Sequence, residues 1–176
     1  MSDLLLDVSQ VREAQVRIER AVPADALAND AEVFTVGGPV RLTFTVDKDR
    51  QQYRLKGTVT AALGFECSRC LVGFELPVDE RFDVLYRPHA EAKTGGEVEI
   101  EDDDLSTAYY RDQVIDLGQL VMEQFFMVTP MKPLCREDCR GLCSMCGTNL
   151  NASTCACAEH WEDPRLAVLR AIKKDT

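Results

Sequence analysis

Eight cysteines restrict this chain more than any other feature, because they fall in close groups. Their spacing is Cys67-x2-Cys70, then Cys135-x3-Cys139-x3-Cys143-x2-Cys146, and finally Cys155-x-Cys157. The N-terminus, MSDLLLDVSQVREAQVRIER, lacks the basic and apolar regions of a secretory signal. The most apolar later stretch, LGQLVMEQFFMV, is too short and too interrupted to span a bilayer. A cytoplasmic protein without membrane contact is therefore expected, in a compartment where thiols stay reduced. Grouped cysteines there favour metal binding over a disulfide framework.

Two cysteines separated by two residues turn both thiolates toward one ion, and four thiolates complete a tetrahedral zinc site. Gly147, directly after Cys146, gives the backbone freedom that lets amides turn in toward the sulfurs. Cys67 and Cys70 cannot hold a metal alone, so their partners must come from the C-terminal group. Eight ligands divide into two tetrads in two ways. Cys143, Cys146, Cys155 and Cys157 can close locally, leaving Cys67, Cys70, Cys135 and Cys139 for a long-range site. Alternatively Cys67 and Cys70 join Cys155 and Cys157, with the other four as the local set. Local closure costs less chain entropy, which favours the first division. Two Zn2+ ions are expected, with one as the fallback. Iron is the competing metal, because Cys-x2-Cys pairs also build rubredoxin-like and iron–sulfur sites, although only the Cys143–Cys146 pair carries the glycine. His160 is a candidate replacement ligand or, beside Trp161, a surface residue; His89 follows a proline and reads as exposed.

Charge narrows the function classes. Of 176 residues, 30 are acidic and 20 basic, a net charge of −10. Such a chain is not a general nucleic-acid coat, since phosphate attraction needs a basic face. Any RNA contact must come from a local patch, and the basic residues nearest the cysteines are Arg69, Lys132, Arg136 and Arg140. These side chains can equally serve to offset thiolate charge. Six acids (Glu97, Glu99, Glu101, Asp102, Asp103 and Asp104) follow Gly95-Gly96 and read as a solvated loop. A magnesium site or an acidic mimic of RNA is the sharper alternative. No phosphate-binding glycine loop is present, and two histidines leave few candidates for general-base catalysis. All-cysteine zinc sites are closed and structural. No catalysis and no small-molecule substrate are expected.

Hydrophobic periodicity predicts the scaffold. Val40, Leu42, Phe44 and Val46 alternate with polar residues, as do Tyr53–Phe65 and Phe74–Tyr86, after a shorter candidate strand around Val16 and Ile18. Short connections between these runs predict an antiparallel β-meander with one wet face. Cys67 and Cys70 fall at the tip of one of its hairpins. Asp116 reads as a helix N-cap with Gln119 as the partner of a capping box. Leu117, Leu120, Val121 and Phe125 form the apolar face behind it, widened by Met122 and Phe126, and Pro130 and Pro133 stop the helix. The expected fold is α+β. Residues 1–130 make a β-rich domain packed by one amphipathic helix, with the acidic loop at 89–106. Residues 131–176 make a cysteine-rich, zinc-binding segment ending in a short helix at Pro164–Lys173.

The stretch PMKPLCREDCRGLCSMCGTNLNASTCAC, the earlier ECSRC at a hairpin and the ending DPRLAVLRAIKK together resemble the YceD family, named for large ribosomal RNA subunit accumulation. The resemblance runs from about Val40 to the C-terminus and is specific in the cysteine cluster. Ser144 stands where the family commonly has proline. The resemblance implies a non-enzymatic factor needed for large-subunit ribosomal RNA levels and ribosome assembly, with that RNA or a large-subunit ribosomal protein as partner. A protein-interaction adaptor without RNA contact is the second reading, and a thiol redox or iron-binding protein the third.

Overall fold

The computed structural model describes residues 4–27, 33–89 and 106–157. The central antiparallel strands are β4 (Val40–Asp49), β5 (Gln52–Glu66) and β6 (Gly73–Pro88), with β2 (Gln15–Val22) added on the outer edge of β4. The alternation works as expected: Val40, Leu42, Phe44 and Val46 are each no more than 1% exposed, facing the core. Phe44 pairs with Gly57, and a Cβ there would collide with the Thr43 carbonyl oxygen, so no larger residue fits. Register between β5 and β6 runs from Tyr53–Tyr86 to Glu66–Gly73, leaving residues 67–72 as the hairpin tip.

The sheet is not a pure meander. β7 (Thr107–Tyr110) lies parallel to β6, from Leu85–Thr107 to Pro88–Tyr110. A tight turn follows, with Asp112 and Gln113 both at positive φ (52° and 60°). The chain then leaves the sheet as β8 (Val114–Asp116), which pairs with β1 (Leu5–Asp7). A two-residue strand, β3 (Thr35–Val36), lies against Leu63 and Gly64.

One helix, α1 (Leu117–Val128), closes the core. The Asp116 carboxylate accepts from the Gln119 backbone N–H at 3.1 Å, as an N-cap should. The reciprocal half of the capping box is not made, because the Gln119 side chain donates to Glu123 at 2.8 Å instead. Leu117, Leu120, Val121 and Phe125 are buried, while Phe126, though 46% exposed, sets its ring edge-on against the buried Phe34 at 5.4 Å and so widens the face at its margin. Phe125 meets the edge of Phe34 at 6.1 Å, and Phe34 lies 6.1 Å from Phe65 near the hairpin tip. The helix therefore delivers the chain beyond Pro130 to the Cys67–Cys70 turn. No helix among the described residues is long and apolar enough to cross a membrane. The acidic cluster 97–104, His160 and the expected helix at 164–173 lie outside the described residues.

Candidate metal centre

Each Cys-x2-Cys pair sits in the same turn. At the hairpin tip the Cys67 N–H donates to the Val72 carbonyl at 3.0 Å, and the Leu71 N–H returns to the Cys67 carbonyl at 2.9 Å. In the C-terminal segment Cys143 donates to Thr148 at 2.8 Å and Gly147 returns to Cys143 at 2.9 Å. The residue after the second cysteine is left-handed in both: φ is 57° at Leu71 and 72° at Gly147. The turn is thus a property of the hydrogen-bond pattern, and glycine is not its prerequisite.

Leu71 holds that conformation at a cost of about 1–2 kcal/mol and is 58% exposed, so little packing offsets it. Leu71→Gly should therefore leave stability equal or raise it by up to about 1 kcal/mol, the strain relief exceeding glycine's extra unfolded entropy. Gly147→Val should loosen the second turn. Thermal midpoints and metal content of the two variants would show the contrast, and a destabilised Leu71→Gly protein would contradict it.

The turns gather the eight sulfurs into two sets, Cys67–Cys70–Cys135–Cys139 and Cys143–Cys146–Cys155–Cys157, each within 4.8 Å. This is the division with a local second set. Within the first, Cys67 and Cys139 Sγ are 3.7 Å apart and Cys70 and Cys135 Sγ 3.6 Å. A tetrahedron with Zn–S bonds of about 2.3 Å has edges of about 3.8 Å, so the donor set fits such an ion in number, chemistry and spacing. Cys67, Cys70 and Cys139 are buried, with Phe74, Leu134 and Leu142 packed around them. Cys146 and Cys157 are exposed, and the second set lies at the surface.

Residues 55–173 match the family described as "Large ribosomal RNA subunit accumulation protein YceD". The chain belongs to the YceD family. An uncharacterized protein of Mycobacterium leprae is 32% identical over 139 residues, covering 78% of this chain and 61% of its own length. One from Mycobacterium tuberculosis is 33% identical over 134 residues, covering 76% and 61%. The Zea mays protein named "Large ribosomal RNA subunit accumulation protein YCED homolog 1, chloroplastic" is 27% identical, covering 76% of this chain and 57% of its own length. The chain thus spans about three fifths of the length of these relatives. No solved structure matches it.

Within this YceD chain the two tetrads are mechanically joined. Ser68 N–H donates to the Pro133 carbonyl at 2.9 Å, and Leu142 N–H to the Arg69 carbonyl at 3.1 Å. Asn151 is the residue that sequence reasoning missed. Its side-chain amide donates to Cys139 Sγ at 3.3 Å, and its carbonyl oxygen accepts from the Arg140 N–H at 2.7 Å. Asn149 orients it by accepting from the Asn151 N–H at 2.9 Å. The only sequence signal was Asn149-Leu150-Asn151, a pair of turn-forming residues beside the cysteines.

Neighbouring amides sort the thiols. The Cys135 backbone N–H, helped by those of Arg69 and Cys70, draws Cys67 down to about 6. Thr148, through its hydroxyl and backbone N–H, draws Cys146 down to about 6. Burial and the neighbouring Cys70 thiol push Cys135 up to about 12, and Cys146 together with burial does the same to Cys157. The first tetrad thus sets Cys67 and Cys139 below the ordinary thiol range beside Cys70 and Cys135 above it. The second sets Cys146 below it beside Cys155 and Cys157 above it, so each mixes thiols ready to ionise with thiols held protonated.

The four basic candidates flank the first tetrad. Arg69 donates through Nη1 to the Cys139 carbonyl at 2.9 Å, which places it beside Arg140. Lys132 precedes Pro133, whose carbonyl receives Ser68. Arg136 lies 3.5 Å from Asp138, which offsets part of its charge. All four are exposed.

Proposed function

We propose that this YceD protein is a non-enzymatic cytoplasmic factor for large-subunit ribosomal RNA accumulation, stabilised by two zinc ions and docking on that RNA. What supports the reading is the interlocked pair of four-cysteine cages at the sheet's hairpin tip, edged by basic side chains. Zinc, when bound, supplies a closed structural crosslink there. The chain's own residues supply the surface. Arg69 and Arg140 are held by backbone contacts of the cages, so the order of the cages sets the spacing of the cations.

Elemental analysis of protein purified without chelator should find two zinc ions per chain, and protein free of metal would remove the foundation. RNA binding should show a salt slope near −3, since four phosphate contacts contribute about 0.7–0.9 each. Charge reversal of Arg136 and Arg140 should weaken binding to large-subunit RNA fragments with zinc content unchanged. Reversal of the exposed, distant Arg12 and Arg50 should do little. A second reading, an adaptor that binds ribosomal protein and never RNA, draws on the exposed Phe126 and Met127 at the helix end, 46% and 78% accessible. Capture of pre-ribosomal particles that resists RNase, without the salt slope, would favour it.

A further inference from the structure

At the other end of the long hairpin, β7 and β8 splay apart and open a cleft of about 700 Å3 against α1. The Tyr86 side chain lines this cleft and is only 6% exposed. Among the described residues its hydroxyl has no hydrogen-bond partner, and it is not sealed off, since Arg87 Nε is the one fully buried polar atom left unpaired. Burial, reinforced by the fields of Glu123 and Asp116, holds this phenol protonated far above its ordinary range. Neither carboxylate is in an ion pair with a described residue. Each is engaged only by Gln119, Asp116 capping its backbone N–H and Glu123 receiving its side chain. Arg111, the cation on the cleft wall, is drawn off to His89 Nε2 at 2.6 Å.

We infer that this cleft is a docking site for a basic side chain, arginine or lysine, carried by a segment of a protein partner. The chemistry on the walls is that of a cation acceptor. Three carboxylates, of Asp112, Asp116 and Glu123, and an unpaired phenol oxygen line the cleft as acceptors, and Tyr109, 40% exposed, offers a ring face. A bare divalent ion wants about six converging oxygens, whereas Glu123 and Asp116 each already have an oxygen committed to Gln119. The volume admits a side chain together with its flanking backbone. The site is independent of the metal centre: Tyr86 lies roughly 40 Å along β6 from the cysteine turn, at about 3.3 Å per residue.

The test uses the 176-residue protein purified without chelator, at 0.15 M salt, titrated with a capped peptide carrying three arginines. Parallel arms use its norleucine analogue, spermidine and MgCl2. Tyr86→Phe, which removes a hydroxyl without a partner, and Glu123→Gln should each weaken the arginine peptide at least fivefold with the thermal midpoint unchanged. Asp79→Asn, on an exposed position of the same strand, should not. The norleucine peptide should not bind. Equal weakening by Asp79→Asn would mean diffuse attraction to an acidic protein and overturn the site. Spermidine or Mg2+ binding as tightly as the peptide, with the same dependence on Tyr86 and Glu123, would overturn the protein partner.

Discussion

Cys67→Ser is expected to halve the bound metal and to release the hairpin tip from residues 133–142. Cys67 is fully buried, and its sulfur lies 3.7 Å from that of Cys139. Three ligands with a hydroxyl in the fourth place do not reproduce a closed thiolate site. The Ser68–Pro133 and Leu142–Arg69 hydrogen bonds would then open together. Cys157→Ser should also lose one metal, but from the exposed set, and the sheet should keep its amide protection. Its effect is not confined to the C-terminal segment. Loosening residues 143–157 withdraws Asn151 from Cys139, and losing such a partner of a metal ligand typically costs 10–100-fold in metal affinity. Hydrogen exchange by segment together with metal titration would separate the two variants. Equal loss of protection throughout both would contradict the arrangement.

Acidification should release both metals steeply. A bound ion needs all four thiols of a cage as thiolates. In the metal-free protein Cys135 and Cys157 are held up at about 12, and Cys70 and Cys155 are also raised, so at pH 7 each cage has at least two protons to lose. Metal affinity should therefore fall at least about 100-fold per pH unit below neutrality. Cys67 and Cys146, drawn down to about 6, carry little of this dependence at pH 7. As pH falls through about 6 they take up protons as well, and the slope steepens. Metal affinity measured against a competing chelator from pH 8 to pH 5 would show this, and a flat profile would mean that the thiols are not the ligands.

The parts of this protein legible in the sequence are those written in local period. The alternation at Val40–Val46 and the long β5 and β6 strands follow from which residues must face a core. The hairpin placement of Cys67 and Cys70 follows from the strands on either side. β7 was illegible because a parallel partner is joined through a long connection, and Thr107–Tyr110 carries no alternation of its own. The turn at Asp112-Gln113 hides for a different reason, since both residues take a left-handed conformation that glycine would normally advertise. Leu71 conceals the first cysteine turn in the same way. The grouping of the sulfurs was readable from chain entropy. Asn151 was not, because a single amide reaching a sulfur 12 residues away leaves no pattern in sequence.

The span of the first cage also sets a schedule. Cys67 and Cys139 are 72 residues apart. With synthesis at about 5–20 residues per second, the hairpin thiols wait roughly 4–14 s for their partners to be made. Throughout that interval β5 and β6 can pair and the Cys67–Val72 turn can form, but the turn offers two thiols and no enclosure. The second cage has no such wait, since its ligands emerge within a few seconds of one another. If the first cage takes an ion as proposed, its capture is a late event in the life of the nascent chain, and a ribosome stalled before Cys135 holds a hairpin whose two thiols have nothing to close upon.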